Sequence, residues 1–155
     1  AMAAGIATLD VIKHEKLVEQ AAKRGAELRL ALTRLVPGYE LLKEVRGKGL
    51  MIGIEFGPPK SLRLKASWNL LETANKGLFC QLITVPLFKD HKILTQVSGH
   101  GSHTIKLLPP LVITEEDCGW IEKSFDDVIA ASHKVPGAIW SLGKTLVDNA
   151  VRKSA

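Results

Sequence analysis

Two glycine-rich stretches are the first candidates for chemistry. GAIWSLGKT, at residues 137–145, resembles a phosphate-binding P-loop, whose backbone N–H groups and lysine hold the phosphates of a nucleotide. That motif has four residues between its first glycine and Gly-Lys-Thr, whereas five stand here. No apolar strand precedes the stretch, so the helix N-terminus that binds phosphate has no predicted support. The spacing therefore disfavours nucleotide binding.

The second stretch is VRGKGLMIGIEF, at residues 45–56. Gly47, Gly49 and Gly53 miss the dinucleotide-binding spacing by one residue and precede their strand, where that fingerprint follows one. Gly47 and Gly49 flank Lys48, and glycine accepts positive φ, so the pattern predicts a sharp turn. Gly53 lies inside an apolar run, which indicates a close neighbouring backbone or a bulge. All three glycines are predicted to be structural.

Histidines and cysteines offer little further chemistry. His91, His100 and His103 have no acidic or cysteine ligand at metal-binding spacing, which disfavours a metal site. Cys80 and Cys118 are too few for a disulfide framework and are predicted to be free, buried thiols. Serine, cysteine, histidine and carboxylate residues form no recognisable nucleophile motif.

Composition is typical of one globular domain covering residues 1–155. Hydrophobic residues make up 46% and charged residues 24% of the chain. The formal net charge is +5, but the 21 basic residues are interspersed with 16 acidic ones, which disfavours a nucleic-acid partner. No apolar run reaches the roughly 18 residues of a membrane span, and the first residues do not resemble a signal peptide. A cytoplasmic location is predicted.

Apolar periodicity predicts the elements of the first half of the chain. Helical spacing runs from Met2 to Leu35 and ends at Pro37, so we expect one long N-terminal helix, or two with a bend near His14. Residues 41–46 and 50–56 are predicted strands joined by the glycine turn. Residues 62–76 are predicted to form a helix that Gly77 caps.

The second half is predicted to supply the remaining strands and two helices. Residues 79–88 are apolar but contain Pro86, so their type stays open. Strands are expected at 93–97 and 104–108, with Pro109 and Pro110 ending the last one. Thr114 is the predicted N-cap of a helix with an acidic first turn. This helix is predicted to bury the following residues: Cys118, Ile121, Phe125, Val128 and Ile129.

A last helix is predicted at residues 136–152, and the tryptophans at 68, 120 and 140 are predicted to be core or interface anchors. Together these elements predict an α+β fold (an α/β two-layer arrangement), in which a small antiparallel sheet of three to four strands packs against helices. From the residues alone, no catalytic set is visible.

Three blocks of the sequence resemble a known family. AMAAGIATLDVI, VRGKGLMIGIEF and IKLLPPLVITEED follow one another as in the carboxy-terminal, small domain of class III pyridoxal-phosphate-dependent aminotransferases, which include ornithine, acetylornithine and putrescine aminotransferases. The resemblance extends to about Ser132. It implies that the chain has the fold of the small domain of a fold-type I pyridoxal-phosphate enzyme.

The resemblance also implies that the catalytic residues and the cofactor contacts lie in a different domain. The family's large domain, upstream of such a piece, supplies the Schiff-base lysine and most contacts to pyridoxal 5'-phosphate, so no catalytic or cofactor-binding residue is expected in this chain, which should be inactive alone. The chain would close the substrate side of the site and support a homodimer. The reaction would transfer an amino group from an amine or amino acid to an oxo-acid or aldehyde acceptor.

Two substrate-binding candidates follow from the resemblance. Many family members that handle amino acids have arginine where this chain has Lys106, before Pro109 and Pro110. Arginine binds a carboxylate in a bidentate manner, whereas lysine offers a point charge, which makes an amine such as a diamine a reasonable donor. Alternatively, Lys106 pairs with a neighbouring acid at the strand end. Residues 95–103 would then lie at the mouth of the site, which makes His103 the second candidate.

A function of a different class stays open beside this one. The chain could be a non-catalytic interaction or dimerisation domain that retains the aminotransferase small-domain fold and associates through its apolar helix faces.

Overall fold

The computed structural model describes residues 2–74 and 76–134, which form two layers, a sheet and a set of helices. The five helices in the described part of the chain are α1 Met2–His14, α2 Leu17–Leu35, α3 Leu62–Ala74, α4 Leu78–Lys89 and α5 Glu115–Ser132. The four strands in the same ranges are β1 Leu42–Lys48, β2 Met51–Phe56, β3 Gln96–Val97 and β4 Thr104–Leu107. The predicted helix at 136–152, the P-loop-like stretch and Trp140 lie outside the described residues.

The N-terminal helical segment is divided into two helices, as one of the two predictions stated. The break follows His14, where Lys16 has a left-handed backbone with φ of 52°. Helix α2 packs on β1 and α5 and buries Leu17, Leu28 and Leu32. Helix α1, in contrast, buries no residue.

The sheet confirms the predicted α+β class. Its strand order is β1-β2-β4-β3, and every pair of neighbours is antiparallel. Strand β1 begins one residue later than predicted and extends past Gly47 to Lys48, which pairs with Met51, so the turn is formed by Gly49 and Leu50. The pairing of β1 with β2 has an irregularity between Leu42 and Glu44. Alternation along the strands directs one face of the sheet at the helices, where the core forms. The largest fully buried side chains are Phe56, Phe125, Leu28, Leu32, Ile52, Ile54, Ile83, Leu87, Ile105 and Ile129.

The glycine turn between β1 and β2 is confirmed. Gly49 has φ of +54°, and a Cβ on Gly47 would meet the Met51 carbonyl oxygen at 2.1 Å, so neither position accepts a side chain without strain. The prediction for Gly53 is wrong, because the strand register is regular there and the nearest neighbour of a Cβ would be the Thr104 methyl group at 3.4 Å. Gly53 lies on the face of the sheet away from the core, opposite the buried Ile52 and Ile54.

A third glycine, Gly25, brings helix and turn into contact. A Cβ on Gly25 would lie 2.0 Å from the carbonyl oxygen of Gly49, a backbone atom that cannot rotate away. Helix α2 therefore packs on the β1–β2 turn at main-chain distance, which only glycine at position 25 permits.

The segment of undecided type, residues 79–88, is helical. Helix α4 buries Phe79, Cys80, Leu82, Ile83 and Leu87, which is helical spacing, and its core packing outweighs the helix-breaking effect of Pro86. The predicted strand at 93–97 is correct only at its end, because β3 contains two residues. Gly77, predicted to cap α3, has the expected positive φ of 81°, but it directly precedes α4.

Helix α5 forms as predicted. The Thr114 hydroxyl accepts a hydrogen bond from the Asp117 N–H at 3.1 Å, and the Asp117 carboxylate accepts one from the Thr114 N–H at 3.0 Å, which is a complete capping box. All five residues predicted to be buried on this helix are buried.

Cys80 and Cys118 are confirmed as buried free thiols, and burial raises the pKa of Cys80 to about 12. Of the described tryptophans, Trp68 is in the core and Trp120 is partly exposed.

Tyr39 connects the turn after α2 to α5. Its hydroxyl donates a hydrogen bond of 2.5 Å to Asp126, and this bond, together with burial, raises the pKa of Tyr39 from 10.0 to about 12. A phenol whose pKa is raised by folding stabilises the fold while it stays protonated.

Gly25→Ala is predicted to lower the free energy of unfolding by about 2 kcal/mol or more, because the new methyl group must displace the backbone of Gly49. Urea unfolding measures the change. Gly119→Ala is the matched control, since a Cβ at that exposed α5 position meets nothing within 4 Å, and it should stabilise the protein by up to about 1 kcal/mol. Equal changes in the free energy of unfolding for Gly25→Ala and Gly119→Ala would contradict the close approach of Gly25 to the Gly49 carbonyl.

Tyr39→Phe is predicted to lower the free energy of unfolding by about 1 kcal/mol near neutral pH, since one hydrogen bond is lost. The contribution is present below pH 10, the pKa in the unfolded chain, and is lost as pH rises towards 12, so the difference from wild type should shrink over that range. Tyr39 is the single tyrosine of the sequence, so phenolate absorbance titrates it alone. A phenolate midpoint near 10 in the folded protein would refute the assignment.

Candidate functional site

The face of the sheet turned away from the helices carries polar side chains. We call it the polar face, and the residues that define it are Glu44, Arg46, Gly53, Glu55, Gln96, Thr104 and Lys106. Each of these residues is exposed or half-buried, whereas their neighbours Val45, Ile54 and Ile105 are buried on the other side. The strand alternation therefore separates a face that supports the core from a face that, among the described residues, stays at least partly exposed.

One row crosses all four strands of this face. The register pairs Arg46 with Gly53, Gly53 with Lys106, and Lys106 with Gln96. Its side chains are a guanidinium, an ammonium and an amide, all of which donate hydrogen bonds. Because Gly53 has no side chain, no side chain of β2 stands in the row between the two cations, whose Cα atoms are two strand spacings, roughly 10 Å, apart. The row suits a ligand with an anionic group.

The two cations of the row differ in their partners. The Nη1 atom of Arg46 is bonded to the carboxylates of Glu55 and, at 3.2 Å, of Glu44. The hydrogen bond to Glu55 is the main cause that raises the pKa of Arg46. Within residues 2–74 and 76–134, no carboxylate lies at ion-pair distance from Lys106, so the alternative in which Lys106 pairs with a neighbouring acid is not observed there.

The main chain around Lys106 is firmly held. Its carbonyl oxygen accepts a hydrogen bond from the Thr95 hydroxyl at 2.6 Å, and its neighbours Ile105 and Leu107 are buried in the core. Strand β4 is also paired on both sides, with β2 and β3. The ammonium is therefore carried by a strand whose main chain is hydrogen-bonded on both sides.

His103 is not brought together with Lys106. Its Nε2 atom lies 2.7 Å from the Glu72 carboxylate, and its ring packs on Trp68 with a centroid distance of 5.0 Å. Glu72 and Trp68 belong to α3, on the helical side of the sheet. Of the two predicted substrate-binding residues, the structure places Lys106 on the polar face and His103 against the helices.

The described cavities do not fit a phosphorylated pyridine. The enclosed one, between Leu41, Trp68 and Phe79, has a volume of about 10 Å³, room for about one water molecule. One open depression is lined by apolar side chains around Pro109 and Trp120, and the other by the segment from Val36 to Lys43 with Lys60. Neither combines a lysine with a cradle of backbone N–H groups for phosphate. The residues that line the described cavities are therefore assigned no step of a pyridoxal-phosphate reaction.

Two further findings apply to the described part of the chain. It contains no group of three or more histidine, cysteine, aspartate or glutamate side chains arranged to hold a metal ion. None of its helices combines the length and apolar character that crossing a membrane would need.

The comparison with protein families decides the assignment of the chain. The profile of the aminotransferase class-III family matches residues 1–129. The chain belongs to this family. Diaminobutyrate–2-oxoglutarate aminotransferase of Rhizobium meliloti (strain 1021) is 37% identical over 118 residues, which are 76% of the chain and 24% of that protein. The resemblance inferred from the three sequence blocks is confirmed.

Solved structures of the family have the same fold. An acetylornithine aminotransferase from Elizabethkingia anophelis matches with a TM-score of 0.58 and 32% identity, over 81% of the chain and 28% of that structure. An amine transaminase from an uncultivated Pseudomonas species, in its pyridoxal-phosphate-bound internal aldimine form, matches with a TM-score of 0.64 and 28% identity. The match covers 84% of the chain and 27% of that structure. That bound cofactor supports the predicted pyridoxal phosphate. The chain spans about a quarter of the length of these relatives.

Several residues of the site were not predicted. Arg46, Glu55 and Glu72 were passed over, although strand alternation in VRGKGLMIGIEF places Arg46 and Glu55 on the same side as Gly53 once the turn is fixed. No sequence signal points to Glu72, which meets His103 across a separation of 31 residues.

Proposed function

We propose that this chain is the carboxy-terminal domain of a longer pyridoxal-phosphate-dependent aminotransferase, and that its polar face closes the substrate side of the active site. The observation that carries the proposal is the ammonium of Lys106 on the polar face, which forms no ion pair within residues 2–74 and 76–134, in a domain whose family is established. The other face of the sheet is filled by the core and cannot serve.

The cofactor and the Schiff-base lysine belong to the part of the protein upstream of this chain. The support is the length of the relatives, which are about three times as long as this chain and of which the matched part is 24%. The chain alone is then inactive. The homodimer and the cytoplasmic location rest on the family resemblance and on the sequence.

The substrates are an amine or amino-acid donor and an oxo-acid or aldehyde acceptor. The names of relatives include diaminobutyrate and 2-oxoglutarate as reactants, and one solved relative is an amine transaminase. A donor with a terminal amine agrees with Lys106, because lysine holds a carboxylate as a point charge and does not give the bidentate contact of arginine. Lys106 is then the group that pairs with the carboxylate of the acceptor.

The alternative function is a non-catalytic interaction or dimerisation domain. A specific observation favours considering it, since the apolar side chains of α1 lie open to solvent, with Met2 85%, Ile6 62% and Leu9 57% exposed. Such a stripe is typical of a surface covered by another part of a protein. In an aminotransferase the upstream domain would cover it.

Substitution of Lys106 in the full-length protein tests the substrate-side role. Lys106→Gln should raise KM for a dicarboxylic oxo acid by about tenfold or more, because a charge-assisted bond is lost, and should leave KM for a neutral monoamine nearly unchanged. Lys106→Arg should shift the donor preference towards α-amino acids. Lys123→Gln, on the exposed side of α5, removes one positive charge away from the polar face and is the matched control. It should change neither the KM for the oxo acid nor the KM for the monoamine. An unaltered preference in both Lys106 variants would overturn the assignment.

Cofactor absorbance distinguishes the two functions. The purified full-length protein should be yellow and transaminate amines, whereas the 155-residue chain alone should be colourless after incubation with pyridoxal phosphate. A colourless, inactive full-length protein would favour the interaction domain. Stoichiometric binding of the cofactor by the chain alone would contradict its assignment to the upstream part.

A further inference from the structure

We propose that Glu72 and His103 form a latch that holds the β3–β4 hairpin against the helices and thereby positions Lys106. The hairpin loop comprises residues 98–103, and Lys106 follows it on β4. The existence of the latch rests on the contacts alone. Its effect on substrate binding rests on the proposed function, in which His103 is a positioning residue and Lys106 the group that touches substrate.

The first half of the latch connects His103 to the core. The imidazole Nε2 is 2.7 Å from Oε2 of Glu72, and both side chains are shielded, with exposed fractions of 31% for His103 and 18% for Glu72. The ring also packs on Trp68, whose indole packs on Phe79 at a centroid distance of 4.9 Å. His103 is therefore held between a carboxylate and an aromatic core.

The second half connects the same carboxylate to the α3–α4 junction. The other oxygen of Glu72, Oε1, accepts a hydrogen bond from the Gly77 N–H at 3.2 Å. The junction and the loop are in close contact, since a Cβ on Gly77 would lie 3.3 Å from the Ser102 carbonyl oxygen. The Cys80 thiol lies 3.8 Å from that same oxygen. One glutamate thus ties two loops together.

The main chain transmits the position of His103 to Lys106. The His103 carbonyl oxygen accepts a hydrogen bond from the Phe56 N–H at 2.9 Å, and Thr104 then begins the ladder with β2. On the other side of the loop, β3 has only two residues, so it forms a short ladder with β4. The contact of His103 with Glu72 adds a side-chain anchor at the loop end of that ladder.

The same geometry argues against direct contact of His103 with a substrate on the polar face. Its Nε2 atom is already bonded to Glu72, and its ring lies among α3 side chains, across the sheet from Lys106. His100, in the same loop, is exposed and serves as a matched control, because no side-chain hydrogen bond of His100 is found among the described residues.

Amide hydrogen exchange of the full-length protein tests the latch without reference to activity. His103→Ala and Glu72→Ala should each raise exchange in residues 98–102 about tenfold, as expected for loss of a shielded, charge-assisted bond. The double variant should exchange no faster than either single variant, because the two residues act through one contact. His103→Gln, which retains a donor near the position of Nε2, should restore most of the protection. His100→Ala should leave exchange in residues 99, 101 and 102 unchanged.

Unchanged loop exchange in His103→Ala and Glu72→Ala would overturn the latch. Multiplied effects in the double variant would overturn it equally, since the two residues would then act independently. If the alanine variants fail to fold, Glu72→Gln takes their place, because it removes the charge that strengthens the same bond. Loop exchange in Glu72→Gln as slow as in the wild type would then overturn the latch.

Steady-state kinetics test the consequence for substrate. His103→Ala should raise KM for the oxo acid about fivefold while kcat changes less than about twofold, and His103→Gln should recover the wild-type KM. Raised loop exchange with unaltered KM would overturn the positioning role. Failure of the proposed function itself is recognised separately, by a full-length protein without cofactor absorbance.

Discussion

The main-chain contact between Gly25 and Gly49 is the constraint on which the arrangement depends. It seats α2 directly on the β1–β2 turn, at a separation that excludes a Cβ at position 25. With α2 in that position, Leu28 and Leu32 enter the core and α5 packs beside the same helix. The sheet then has one face committed to the helices. The polar residues of β1, β2 and β4 are left on the other face as a direct result.

Local signals in the sequence predicted the elements whose ends are marked by backbone chemistry. Thr114 and its acidic neighbours determined the start of α5, and Gly47 with Gly49 determined the hairpin turn, because capping and positive φ are properties of single residues. The α+β class followed from periodicity. In α4, however, Pro86 obscured a helix whose stability comes from burial in the core, which depends on the rest of the fold.

The candidate site was predicted less well, for the same reason. Lys106 was found through family resemblance and lies on the face that can bind. Its row with Arg46 and Gly53 depends on strand register, and the contact of His103 with Glu72 depends on how α3 packs, neither of which is written in local sequence. Resemblance placed His103 near the substrate, while the structure gives it a partner in the fold.

The positions of the row that crosses the sheet differ in how freely their residues can be replaced. A Cβ at Gly53 would contact the Thr104 methyl group at 3.4 Å, and a longer side chain would stand between Arg46 and Lys106 in the row. Arg46 is committed to two carboxylates, and its replacement would leave their charges uncompensated. Position 106 has no such commitment among the described residues. Under the proposed function, replacement of Lys106 would alter the preferred ligand and break no ion pair of the described residues, and divergence of substrate range among related domains would concentrate at this strand position.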